Sequence, residues 1–157
     1  MRIQKELYEK YPKLFSAVGT REFVGCTIGP GWFPLVDVLC KLIQNEVDFA
    51  NEQKKYGNSA GMEQVVVGQI KEKFGGLRFY TNKGGSTQIA GMIQMAEAMS
   101  WLICEECGTT KNVKTGGSGR IVTLCNRCRR RMAIRNWFSY MMWLVKSRLM
   151  AIFGKRK

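Results

Sequence analysis

The chain has 157 residues, of which 45% are apolar and 24% charged, a balance that excludes intrinsic disorder, collagen-like repeats and low-complexity sequence. Its 25 Lys and Arg against 12 Asp and Glu leave a formal charge of +13, which points to polyanionic partners and excludes an acidic mimic of nucleic acid. Histidine does not occur in it, so Ser-His-Asp hydrolases, Cys-His proteases, HExxH metalloproteases and histidine-based nucleases are excluded as well.

Along the chain, Ile3, Leu7 and Tyr11 fall at helical spacing before Pro12, and Leu14, Phe15 and Val18 predict a further helical turn before Gly19. Gly25 and Gly29-Pro30-Gly31 read as a turn that aims Trp32 inward. From Trp32 the apolar set Leu35, Val36, Leu39, Leu42, Ile43, Val47 and Ala50 recurs every three or four residues, predicting an amphipathic helix that stops at Gly57. Val65-Val66-Val67 with Ile70, then Leu77 and Phe79 alternating with Arg78 and Tyr80, predict two strands joined at Phe74-Gly75-Gly76. Ile89, Met92, Ile93, Ala96, Met99 and Ile103 predict a second amphipathic helix, capped by Ser86 or Thr87 and running into Cys104. The resulting fold class is α+β: two amphipathic helices on one face of a small antiparallel hairpin sheet, followed by a four-cysteine zinc ribbon and a basic amphipathic helix.

Cys104-Glu105-Glu106-Cys107 and Cys125-Asn126-Arg127-Cys128 are two Cys-x-x-Cys pairs with 17 residues between them, the spacing at which two knuckles wrap a tetrahedral ion. Four thiolates favour Zn²⁺, with iron in a rubredoxin-like site as the alternative. Four protein ligands leave no open position for substrate, so the expected role is structural. Gly108 allows the tight turn around the sulfurs, Gly116 to Gly119 form the ribbon tip, and Ile121 to Leu124 the return strand. Cys26 and Cys40 stand apart and read as small buried hydrophobes.

Charge divides the chain. Residues 1–100 hold 12 basic and 10 acidic side chains, whereas residues 101–157 hold 13 and 2. Three domains are expected: an α+β module over 1–100, the ribbon over 101–128 and the basic helix over 129–157. Arg127, Arg129, Arg130, Arg131 and Arg135 form the main candidate nucleic-acid surface, with Lys71, Lys73 and Arg78 on the hairpin as a smaller basic and aromatic patch. Ile134, Trp137, Phe138, Met141, Leu144, Val145, Leu149 and Ile152 share helical spacing. This face either packs on the N-terminal module, or contacts a partner through Trp137, Phe138, Met141, Trp143 and Leu144, or lies on anionic lipid. Glu105 and Glu106 lie between ligands, and Asp37 and Asp48 stand eleven residues apart on one helix, so no catalytic pair emerges. The charged N-terminus and the lack of a long apolar run place the expected site of action in a reducing cytoplasm.

Three blocks resemble a family of small proteins of tailed bacteriophages and prophages. They are Gly31 to Cys40, Lys71-Glu72-Lys73-Phe74-Gly75-Gly76-Leu77-Arg78-Phe79-Tyr80, and Met95 to Ser100 leading into the first cysteine pair and Thr123-Leu124-Cys125. The resemblance spans residues 25–128. It implies an accessory role in the bacterial host cell and no catalytic residues; in that family the last metal ligand can be histidine, here Cys128. The segment from Arg129 departs from the family pattern. The reading that follows is a non-enzymatic, zinc-stabilised binder of nucleic acid or of a nucleoprotein complex, with no small-molecule substrate. The alternatives are an inhibitor of a host machine such as a defence nuclease, in the manner of an anti-CRISPR protein, or a polymerase, and a peripheral membrane protein.

Overall fold

A computed structural model describes residues 2–117 and 119–153. The first helix, α1 (Arg2–Lys10), buries Leu7, and Tyr11 follows it into the core. Beyond Pro12 the chain continues in turns that bury Leu14 and Phe15 and leave Val18 exposed. The Leu14 carbonyl accepts the Val67 N–H at 2.8 Å, which ties this segment to the central sheet. Lys10 and the Tyr11 hydroxyl both reach Asp37, at 2.7 and 2.9 Å, and Lys13 reaches Asp48 at 3.1 Å. The two aspartates therefore anchor the N-terminal segment on the next helix.

Strand β1 (Gly25–Thr27) leads into a 3-10 turn at Pro30–Trp32 and then α2 (Phe33–Lys55). Val36, Leu39, Cys40, Ile43 and Val47 form the buried stripe of α2. A hairpin of β2 (Val66–Lys73) and β3 (Gly76–Lys83) follows, and the sheet order is β1-β2-β3. The expected purely antiparallel sheet is thus corrected: β1 runs parallel to β2, with α2 inside the crossover that parallel strands require. Three residues headed by a positive-φ glycine resemble a turn in sequence, which is why β1 is not visible there. In β2 the register shifts around Val67 and Gln69, so Val67 and Ile70, three residues apart, both point into the core.

Helix α3 (Thr87–Ser100) starts at Ser86, whose hydroxyl accepts the Ile89 N–H at 3.2 Å. It ends at Ser100, and turns at Trp101 to Ile103 replace the expected run into Cys104. Its side chains close the free edge of β3: Glu97 accepts the Phe79 N–H at 3.0 Å and Ser100 accepts the Leu77 N–H at 2.9 Å. The edge that would otherwise template strand pairing is satisfied within the chain. The buried residues of α1, α2, α3 and the sheet form one core, with Trp32 wholly enclosed.

The second sheet pairs β4 (Val113–Gly116) with β5 (Val122–Cys125), one residue later than the expected return strand at both ends. The last helix, α4 (Asn126–Phe153), begins at once, so Cys128 lies in its first turn. Its main contact within the chain is with β5. Of the three alternatives for its apolar face, packing on the N-terminal module is not what the structure shows: Trp137, Phe138, Met141 and Val145 are exposed, and Leu144 is half-buried. The two-faced pattern fails for a simple reason. Trp143 and Met150 lie opposite the expected stripe and Tyr140 and Met142 at its margins, all four exposed, so apolar side chains spread well beyond one face, with Lys146, Ser147 and Arg148 set among them. The Leu149 and Ile152 side chains lie outside the described residues. No helix among the described residues is long and apolar enough to cross a membrane.

Replacing Ser100 by Ala strands the buried Leu77 N–H. An expected loss of about 1–3 kcal/mol in a urea titration follows, and an unchanged midpoint would show that the β3 edge does not depend on this hydroxyl.

Candidate metal centre and its basic surround

The first knuckle is shaped by backbone bonds: Cys104 N–H to the Thr109 carbonyl at 2.9 Å, and Gly108 N–H to the Cys104 carbonyl at 2.9 Å. Gly108 adopts a φ of 75°, the left-handed conformation that glycine enters without strain. In the second knuckle Cys125 ends β5 and the Cys128 N–H points at its sulfur from 3.5 Å. The four Sγ atoms of Cys104, Cys107, Cys125 and Cys128 lie within 4.8 Å of one another, and those of Cys107 and Cys125 are 3.8 Å apart. A metal–sulfur bond of about 2.3 Å gives a tetrahedral edge of about 3.8 Å. The donor set therefore fits one tetrahedral metal ion held entirely by protein thiolates. Without such an ion the sulfurs compete for protons: the Cys128 N–H pulls Cys125 down to about 7, while burial pushes Cys104 and Cys128 up. Cys26 and Cys40 sit elsewhere in the core, and burial raises the Cys26 thiol to about 11 and Cys40 higher still. Both are inert packing groups at neutral pH.

Two turns of the N-terminal module clasp this ribbon. The Gly31 N–H donates to the Glu105 carbonyl at 2.8 Å and the Trp32 indole to the Ile103 carbonyl at 2.9 Å. There is no room for a side chain here, since a Cβ on Gly31 would lie 2.1 Å from the Cys104 carbonyl oxygen and one on Gly29 2.2 Å from that of Glu105. On the other side, the β2–β3 turn carries Phe74 and Gly75 at φ of 55° and 85°. The Thr123 hydroxyl donates to the Gly75 carbonyl at 2.6 Å, the Gly75 N–H donates to Glu72 at 2.7 Å, and Gly76 lies against the Trp101 ring. Arg120 on the ribbon reaches Glu72 across 3.4 Å. The Glu105 N–H donates to the Thr123 carbonyl at 3.0 Å, so residue 105 links both clasps through its backbone. Sequence reasoning assigned Glu105 no role. Burial raises its carboxyl to about 7 against the pull of Arg120, and nothing in the local sequence signals that environment.

The basic candidates separate into groups. Arg127, Arg130 and Arg131 join Lys111 around a cleft of about 690 Å³ between the ribbon and α4. Arg129 turns away and donates to the Lys114 and Gly116 carbonyls of β4. Arg135 lies with Arg131 and Glu106 on the far side of Cys107. On the hairpin, Arg78 is held 3.6 Å from Glu97, Lys71 sits over the Tyr80 ring and Lys73 over Phe74. The hairpin patch and the helix arginines are not gathered around one cleft. A feature not anticipated from sequence is an apolar groove of about 440 Å³ between α2 and α3, walled by Val38, Leu42, Met92, Met95 and Met99. Met92 and Met99 belong to the apolar stripe that the sequence predicts for α3, and Met95 widens it. Along α4, Trp137 packs edge-on against Phe138 and Tyr140 stacks with Trp143.

The purified protein is expected to carry one metal equivalent per chain, and its chelation to abolish amide protection in β4, β5 and the start of α4. Full protection after quantitative metal removal would contradict the site. Gly31→Ala is expected to cost about 1–3 kcal/mol through overpacking against the knuckle, measured by thermal or chemical unfolding. No family model, no curated protein and no solved structure matches the chain.

Proposed function

We propose that this chain is a non-enzymatic accessory protein that binds nucleic acid, or a complex containing it, through a basic surface fixed by a structural zinc ion. The observation that carries this reading is the display of Arg127, Arg130 and Arg131 on the first turns of a helix whose start is held by Cys125 and Cys128. None of these arginines is paired with a carboxylate among the described residues, and all three are exposed. The four-cysteine shell supports zinc and a structural role, because it leaves no coordination position for a reacting group. The resemblance of residues 25–128 to phage and prophage proteins supports a role in a bacterial host cell. Arg129 belongs to the ribbon as much as to the ligand surface, since it bridges β4 and α4.

A second reading is favoured by the exposed distal half of α4. Trp137, Phe138 and Trp143 offer apolar area to a protein partner, consistent with a protein that blocks or redirects a host machine.

Affinity for a labelled mixed-sequence duplex DNA is expected to fall steeply with salt, each neutralised phosphate contributing about 0.9 to the slope of log K against log salt concentration, and to be indifferent to base sequence. Binding that is absent at low salt would defeat the proposal. A stoichiometric protein complex that survives nuclease treatment of a tagged purification would favour the second reading.

A further inference from the structure

The cleft beside the second knuckle has a composition that the linear run of arginines conceals. Its walls include Lys111 and Asn112 from the ribbon loop and Asn126, Arg127, Arg130 and Arg131 from the first two turns of α4, with Cys107 and Cys125 of the four-cysteine cluster at its floor. Residues 111 and 130 are 19 apart in sequence and meet only because β4 and β5 pair and α4 starts directly at the end of β5. Four cationic side chains converge here, and none is matched by a carboxylate among the described residues. The thiolates of Cys107 and Cys125, which line the cleft, do not cancel them: four thiolates with a divalent ion would carry −2, against +4 from the side chains around it. The Asn112 and Asn126 amides add neutral donors, and the positive end of the α4 dipole adds to the same field. Among the described residues lining the cleft there is no acidic group to take a ribose hydroxyl and no aromatic ring on which to stack a base.

We infer that this cleft is a seat for backbone phosphate, through which a nucleic-acid strand crosses between the ribbon loop and the first two turns of α4. The inference rests on the nucleic-acid reading above and narrows it to Lys111, Arg127, Arg130 and Arg131. Arg129, between them in sequence, is a ribbon clamp with its guanidinium spent on the Lys114 and Gly116 carbonyls. Arg135, Lys146 and Arg148 lie outside the cleft and contribute only to the general field. Lys111, which the arginine run does not include, is a full member of the seat.

The test compares two full-length, metal-loaded variants with the same loss of charge, using fluorescence anisotropy on a labelled mixed-sequence duplex DNA over a range of salt. One is Arg127→Gln/Arg130→Gln/Lys111→Gln, and the other is Arg135→Gln/Lys146→Gln/Arg148→Gln. The cleft variant is expected to lower the salt slope by about 0.9 for each residue removed, and the distal variant to leave most of it. Equal losses in the two variants would overturn the seat while leaving the wider nucleic-acid reading intact. Failure of the wild-type protein to bind would defeat that reading itself. Should the cleft variant lose its metal, the wild-type protein is titrated with the dinucleotide d(TpT) and followed by NMR of its Arg and Lys side-chain nitrogens. Shifts centred on Lys111, Arg127, Arg130 and Arg131 support the seat, and shifts spread over all basic side chains overturn it. Binding of wild type to phosphatidylglycerol vesicles in preference to the duplex, lost in the cleft variant, would also overturn it in favour of a lipid surface.

Discussion

Close approach of backbone to backbone at glycine joins the two halves of this protein. At Gly29 and Gly31 the chain comes so near the Cys104 and Glu105 carbonyls that any Cβ would collide with them, and at Gly75 it accepts the Thr123 hydroxyl. The Gly31–Glu105 bond, from peptide to peptide, involves no flexible side chain, and the Thr123 hydroxyl is buried where it meets Gly75. The small ribbon, whose own core is a handful of residues around Val122 and Leu124, is thereby held from two sides by the larger α+β module. A ribbon of this size buries too little apolar area to stand on hydrophobic packing alone.

The four-cysteine cluster lies where the ribbon meets the basic helix. Cys125 closes β5 and Cys128 lies one turn into α4, so the same set of sulfurs fixes the strand, the helix start and the angle between them. Arg129 adds a second tie, from α4 back to β4. The consequence is electrostatic. Arginines on a freely moving tail would spread their charge over many positions, whereas here three of them face Lys111 across a defined cleft. A fixed array of like charges is unfavourable by itself, and it is relieved by an anion that the free protein does not supply.

The distal half of α4 raises the opposite problem. Its aromatic and methionine side chains spread well beyond one face and find little of the chain to pack against, their closest partners being one another, as in the Trp137–Phe138 and Tyr140–Trp143 pairs. Exposed apolar area of this extent is uncommon on a protein surface. The basic cleft and the exposed apolar stretch therefore lie in sequence on one element, the first beside the cysteine cluster and the second beyond it.

Much of this organisation was legible in the residues. The two Cys-x-x-Cys pairs identify the ligands because thiolate spacing is a local property, and the 3.6-residue period of α2 and the Ser86 cap of α3 are local too. The charge division is likewise a matter of counting. What only the tertiary structure decided involves groups distant in the chain: the parallel pairing of β1, the contact of Gly31 with Cys104, and the closure of the β3 edge by Glu97 and Ser100. The same holds for the sorting of the arginines into cleft, clamp and bystander. Sequence periodicity records which side of an element is apolar, but it does not say whether another element is there to cover it. For α4 it recorded the apolar stripe and the neighbouring Trp143, but only the arrangement of the chain in space shows that Trp137, Phe138, Met141 and Trp143 are all left exposed.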